Sequence, residues 1–592
     1  MKWRQFFRRK PLELLLDEMA GEHRLHRVLG PVSLTALGVG AIIGAGIFAM
    51  TGRVASEDAG PAVIISFVVA GFACMLAAFC YSEFAAMAPV AGSAYTYTYA
   101  TLGEIWAWII GWDLVLEYAM SCSVVAAHWS HYLDEFVWLS FGWHIPPQFL
   151  SDPFTPIIVD GVKVMPMVNL PAILVMIIIT TILVIGIRES ALANATLVVV
   201  KVIVVLFVIV LGFHYIKFAN WTAVPVEKRK VADITDYLDR NPNVAGQIPE
   251  GAVSSLTTGK QLLDAHPEIA KRMSVEERFE VEQLPNEAKK WGLLGVLGIR
   301  RWLQPLDESV RSPFMPYGFS GMMIGAALVF FAYIGFDSIS THSEEAVNPQ
   351  RDVPIGILAS LIACTLLYVL VAGVITGMEP YPGIDPNAAV AAAFRRRAEV
   401  DQSFLLRASA WIISAGALAG MSSVLLVTFL SQARIFLAMA RDGLLPHSIF
   451  GVVHERFRTP HRSTILTGFA ICIVSGFLPI RLLEEMVSIG TLMAFVMVCA
   501  SVLVLRITRP LAHRPFRCPA IFLVAPLGVF VNLAMMAFLP LDTWLRLVIW
   551  LALGLVIYLF YGFRHSHMGH ELQRQLQTQG LSPTDAPLTD VK

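Results

Sequence analysis

The chain has 592 residues, 56% of them hydrophobic and only 15% charged, with a net formal charge of −1. That composition excludes a string of ordinary soluble domains, and the lack of a long basic stripe interleaved with aromatics excludes a nucleic-acid partner. The seven cysteines form no CxxC and no cluster with histidine, so no disulfide framework, no metal site and no cofactor is expected.

Apolar stretches near 20 residues, the length a helix needs to cross about 30 Å of hydrocarbon, predict an all-α integral membrane protein. Twelve spans follow in order: 32–52, 61–88, 98–127, 168–187, 193–217, 318–341, 354–378, 405–439, 461–480, 484–508, 520–540 and 543–563. The stretches 98–127 and 405–439 exceed one crossing, so each is either a tilted long helix or a span plus an interfacial turn. Lys and Arg concentrate before span 1, after span 8 and after span 10, which places both termini in the cytoplasm of a multi-pass plasma (inner) membrane protein; Arg395, Arg396 and Arg397 run against the rule. The first 30 residues are charged and carry no cleavage pattern of a removable signal peptide.

The expected organisation is a cytoplasmic segment at 1–31, spans 1–5 within 32–217, an extracytoplasmic insertion at 218–313, spans 6–10 within 314–508, two peripheral spans within 509–563 and a cytoplasmic tail at 564–592. Residues 219–312 alone hold 14 acidic and 13 basic side chains. Charges mixed with spaced Leu, Ile and Val, punctuated by Pro267 and Pro285, predict short helices there. A solvated decoration is the plainer reading of this insertion, and a lid or partner-docking element the other.

Two spans contain residues that helices in lipid disfavour. Span 1 carries Gly38, Gly40, Gly44 and Gly46 within nine residues. Small residues four apart let helices pack closely, whereas Gly44-Ala45-Gly46 also suits an unwound turn, tolerated at membrane depth only if freed amides meet a cavity or ligand. Span 6 carries Gly335 and Asp337 in FFAYIGFD. An acid inside a span marks a functional site by default, against the alternative that Asp337 caps the following half-helix or bonds a neighbouring span. Spans 1 and 6 open two successive five-span sets, and matched interruptions point to an inverted-repeat transporter with a midplane site. The amides heading the outer half of a broken helix 1 favour an anion, and free carbonyls of a broken helix 6 favour a cation. An α-amino acid carries both.

These motifs resemble the amino acid–polyamine–organocation superfamily, most closely the bacterial relatives of cationic amino acid transporters. The resemblance rests on GAIIGAGIF, PVAGSAYTY, DLVLEY, FFAYIGFDSIS, EEAVNPQRDVP and ARIFLAMARDGLLP in that order, and covers about residues 28 to 510 apart from the insertion. It implies the leucine-transporter fold, an inverted five-plus-five repeat with two peripheral helices, and alternating-access movement of amino acids. It also implies that amides around Ile42, Ala45, Gly46 and Ile47 hold the substrate carboxylate, while carbonyls of Phe331, Ala332 and Ile334 hold the ammonium. Phe331 would join the gate, and Met421 would line a side-chain pocket suited to neutral substrates; Met421 as core filler is the other reading.

Lys201 is the one charge in the run 195–211. A span 5 lysine matching it occupies the place of sodium in the resemblance, implying sodium independence, either as a fixed cation or as a titrating group. Glu117 in span 3 is a second buried candidate for proton coupling, or a packing carboxylate at the cavity edge; Glu83 and Asp113 are further in-span acids without an assigned role. The reading is a proton-coupled secondary transporter with a small amino acid as substrate, the bilayer as environment and protons as coupling ion. An amino acid or amine exchanger and a membrane amino acid sensor are the rivals. No HExxH, GxSxG or GxxxxGK[ST] motif points to an enzyme.

Overall fold

The computed structural model describes residues 6–10, 29–88, 93–159, 162–186, 188–249, 251–254, 256–457, 459–568 and 570. Most of the segment 1–31 and of the tail 564–592 therefore lies outside the described residues. Among the described residues, twelve helices of the bundle run in chain order. The first, α1, is broken: Pro31–Ile42 continues, after a gap, as the turns Gly46–Met50, Thr51–Val54 and Ala55–Ala59. Then follow α2 (Val63–Met87), α3 (Glu104–Phe141), α4 (Leu170–Ile185) and α5 (Arg188–Phe213). Helix α6 is broken too, into Gly318–Val329, Phe330–Tyr333 and Ser338–Thr341. The remainder are α7 (Pro349–Met378), α8 (Phe404–Arg441), α9 (His461–Phe477), α10 (Ile480–Thr508), α11 (Ile521–Ala537) and α12 (Leu541–Ile557).

Five crossings are an odd number, so α6 enters from the side on which α5 ends and runs opposite to α1. The two broken helices consequently lie antiparallel: the first half of α1 packs on Ser338–Thr341, and its second half on Gly318–Val329. This juxtaposition of matched breaks is the core of the inverted five-plus-five fold. Around it α3 packs along α8 and α10, and α2 along α7, while α11 and α12 stand outside against α10.

Both over-long stretches resolve. The first divides into Ser93–Thr101 and the 38-residue α3, separated at Gly103, whose φ of +106° ends the preceding turn. The second is one uninterrupted 38-residue helix, α8, about 57 Å long and far beyond a single perpendicular crossing. A span limit near 127 had excluded His128, Asp134 and Glu135, yet α3 continues through them; His128 and Glu135 find partners, Glu484 and Arg395, at 2.8 and 2.7 Å. Helix α7 begins at Pro349, and Asp352 in its first turn accepts from the Asn348 amide at 3.1 Å.

One departure from an all-helical reading is a hairpin of Ile157–Val159 with Val162–Val164 in the α3–α4 connection. β-Branched residues either side of Asp-Gly in the sequence favour such a pair. The insertion is a lobe of short helices, among them Ile234–Arg240, Gly259–Ala265, Val275–Gln283, Glu287–Val296 and Arg300–Val310. It has an apolar core of its own, built from Ile234, Tyr237, Leu262, Leu263, Ile269 and Val281.

A candidate substrate site between two broken helices

The α1 break begins where Ile43 adopts an extended conformation (φ −72°, ψ 103°). The α6 break has an extended Ile334 (φ −60°, ψ 135°) followed by Gly335 at φ +121°, a conformation that favours glycine. Glycines also let the two strands of unwound backbone touch. A Cβ on Gly46 would stand 2.5 Å from Ala332 Cα, and one on Gly335 would stand 2.8 Å from the carbonyl of Ala41. The breaks are thus mutually fitted, and side chains larger than hydrogen are excluded from their contact.

Unwinding leaves carbonyls that need donors, since lipid supplies none. Lys201 on α5 provides them: its Nζ donates to Ile43 O at 2.9 Å and also to Gly40 O. Tyr368 on α7 places one hydroxyl 2.8 Å from both Ile42 O and Ala332 O, bridging the two breaks. Tyr132 on α3 donates to Phe48 O at 2.7 Å, just past the α1 break. Asp337 neither caps Ser338–Thr341 nor stands alone; its carboxylate accepts from Tyr118 on α3 and, at 3.3 Å, from the Gly335 amide. The reading of Asp337 as a bond to a neighbouring span describes this geometry.

Of the residues singled out in the sequence, Ala45, Gly46 and Ile47 head the second half of α1, where the first amides of a helix have no partner within it. Ile42 differs: it closes the first half, and its carbonyl is the group in use. Phe331, Ala332 and Ile334 line the α6 break and are all buried, with the Ala332 carbonyl already engaged by Tyr368. Met421 is fully buried on α8 beside two residues that touch the site. A Cβ on Gly420 would stand 3.2 Å from Lys201 Cβ, and Val424 would stand 2.8 Å from a Cβ on Gly44.

Glu117 and Asp113 lie buried on α3, and among the described residues neither Asp113 oxygen nor Glu117 Oε2 has a hydrogen-bond partner. Asp113 faces α10, where a Cβ on Gly490 would stand 3.2 Å from Oδ1. Glu83 belongs elsewhere: it pairs with Arg506 at 2.5 Å and Arg514 at 3.0 Å and accepts from the Cys518 amide at 2.8 Å.

Three tyrosines, Tyr118, Tyr132 and Tyr368, were missed by sequence reasoning. Their signal is weak, since a tyrosine in an apolar span reads as core filler until a free carbonyl is known to lie opposite.

Two antiparallel broken helices, with unwound backbone facing unwound backbone at the centre of a helical bundle, define a membrane transporter. The family model for amino acid permeases matches residues 29–253 and 292–563, and the chain belongs to that family. It is 36% identical to the Bacillus subtilis methylthioribose transporter over 95% of this chain and 98% of that one. It is also 36% identical to the branched-chain amino acid permease BcaP of Bacillus subtilis, over 95% and 98% respectively. Identity to the vacuolar cationic amino acid transporter 4 of Arabidopsis thaliana is 34%, over 85% of this chain and 67% of the relative. Among solved structures it is similar to MhsT in complex with L-phenylalanine, at 12% identity and a TM-score of 0.48, over 86% of this chain and all of that one.

Proposed function

We propose that this permease is a sodium-independent, proton-coupled transporter of neutral α-amino acids, working by alternating access in the plasma membrane with both termini cytoplasmic and the insertion outside. The observation that carries the reading is Lys201, a buried side chain whose Nζ donates to Gly40 O and Ile43 O, the carbonyls left free where the first half of α1 ends. It supplies the positive charge that freed carbonyls would otherwise draw from a bound cation. Glu117, with an unpartnered oxygen on α3, is the proposed proton acceptor. The amides of Ala45, Gly46 and Ile47 would take the substrate carboxylate, and the carbonyls of Phe331, Ala332 and Ile334 its ammonium. Apolar Met421 and Val424 near the α1 break favour a neutral side chain, which agrees with a relative named for branched-chain amino acids.

The test is uptake of labelled alanine into sodium-free proteoliposomes, with and without an inward proton gradient. Leucine and methylthioribose serve as competitors, the latter because another relative is named for it. Accumulation that needs the gradient supports the proposal. Flux that ignores the gradient but requires internal amino acid means exchange, and tight binding without flux means a sensor.

A further inference from the structure

Residues 287–310 depart from the rest of the insertion. The lobe before them gathers most of its apolar side chains into its own core, Leu256 excepted. Here they point outward instead: Val296 is 50% exposed, Leu297 68%, Trp302 86% and Leu306 43%. A tryptophan and three aliphatics on one short stretch, next to Arg300-Arg301 in the sequence, have the make-up of a segment that lies in a membrane interface. For a purely solvated decoration such a surface is unfavourable.

The segment is held at that level by contacts at both ends. Helix Glu287–Val296 packs on α11 and α12, and the backbone at Gly292, with φ +57°, lies directly on the turn between them: a Cβ there would stand 2.8 Å from the Ala537 carbonyl oxygen. Helix Arg300–Val310 is fastened to the start of α6, where Asp307 accepts from the Ser320 amide at 2.9 Å and its hydroxyl at 2.5 Å. The outward-facing apolar residues are therefore fixed where α6, α11 and α12 leave the hydrocarbon. The helix α12 against which the segment packs carries an exposed apolar flank of its own, on which Leu545, Val548 and Ile549 are 54 to 67% exposed.

We propose that Val296–Leu306 is a membrane-surface anchor seated among the phospholipid headgroups of the leaflet on the insertion's side, with Leu297 and Trp302 reaching the upper acyl chains. Phospholipid is the occupant because the segment is packed against α12, whose exposed apolar flank is a lipid-facing surface of a membrane bundle, and a tryptophan with exposed aliphatics suits the interface beside it. Through Asp307 the anchor ties that leaflet to the first half of broken α6. The inference needs only a membrane-embedded bundle, so it stands whichever side the insertion faces.

The experiment places an environment-sensitive thiol label on the full chain at Trp302→Cys or at Leu297→Cys. An exposed polar position of the lobe, Lys260→Cys, is the control. The native cysteines are buried apart from half-buried Cys472, and the unsubstituted protein carried through labelling is the blank. In nanodiscs, the labels at 302 and 297 are expected to be quenched severalfold more by brominated phosphatidylcholine than the label at 260, and severalfold less by iodide. Iodide reaching all three positions alike, with no preferential bromolipid quenching, overturns the proposal. Labels shielded from both quenchers also overturn it, because a protein would then cover the surface. Trp302→Cys and Leu297→Cys are read separately, so failure of one variant to fold leaves the other decisive.

Discussion

Lys201 is buried, and its charge is offset only by carbonyls that exist because α1 unwinds. Replacing it with methionine removes the charge and leaves two carbonyls without a donor, at about 1–3 kcal/mol each. The K201M variant is expected to insert and to lose uptake of labelled amino acid by about tenfold or more, the equivalent of 1.4 kcal/mol. Arginine should not restore it, because a planar guanidinium is bulkier than an ammonium and cannot place a single nitrogen on both carbonyls. Unchanged proton-driven uptake in K201M would remove the lysine from the mechanism. Tyr368→Phe is a finer probe: the hydroxyl bridging Ile42 O and Ala332 O is lost while the ring remains. Substrate affinity should fall about fivefold, near 1 kcal/mol, with little change in the amount of folded protein. At this scale the sequence was legible where a charge interrupted an apolar run, as at Lys201, Glu117 and Asp337. Tyr368 was not legible, since its partner carbonyls are freed only by the breaks and come from α1 and α6, far away in the chain.

Glycine spacing in α1 left helix packing and unwinding as rival explanations, and the structure assigns them to different glycines. Gly38 and Gly40 lie in the intact first half and pack against Ser360 and Val198, whereas Gly44 and Gly46 border the break. Gly46→Ala must push against the Ala332 backbone, so the two breaks would separate. That variant is expected to reach the membrane and lose substrate binding in a scintillation proximity assay. Gly373→Ala on α7 is the counterpart, with its nearest atom 4.0 Å from the added methyl, and should be neutral or stabilising by about 1 kcal/mol. Equal binding loss in both would show that helix propensity, and not the fit of the breaks, governs. The spans and their pairing were readable because hydrophobic length is a local property. The end of α3 was not, because its last turns carry His128 and Glu135, whose cost is met by Glu484 on α10 and Arg395 on Ala389–Asp401.

At the scale of the whole molecule, ion pairs bind the bundle and the insertion together. Arg53 on α1 meets Glu484 at 3.0 Å, and Lys230 of the insertion meets Glu57 at 3.1 Å. Arg395, Arg396 and Arg397, which ran against the orientation expected from the sequence, are each paired with an acid, Glu135, Glu379 and Asp401 respectively. The insertion's own anchor is Asp236, bonded by Arg229 at 2.6 and 2.7 Å, by Arg240 at 3.0 Å and by the Ala232 amide at 2.9 Å. Burial alone would raise its pKa, but these donors outweigh burial and hold it at about 2. An aspartate depressed below its unfolded value of about 3.9 stabilises the fold above that value and stops doing so only as pH falls through about 2. Mild acidity on the lobe's side should therefore leave the lobe closed, and hydrogen exchange across 229–240 should be the same there as at neutral pH once corrected for intrinsic rates. Asp236→Asn removes roughly 2 kcal/mol at neutral pH and should expose the same residues to exchange. If the unsubstituted lobe instead loosens under mild acid, a different group controls it, and the pH dependence of transport could not be ascribed to the membrane core alone.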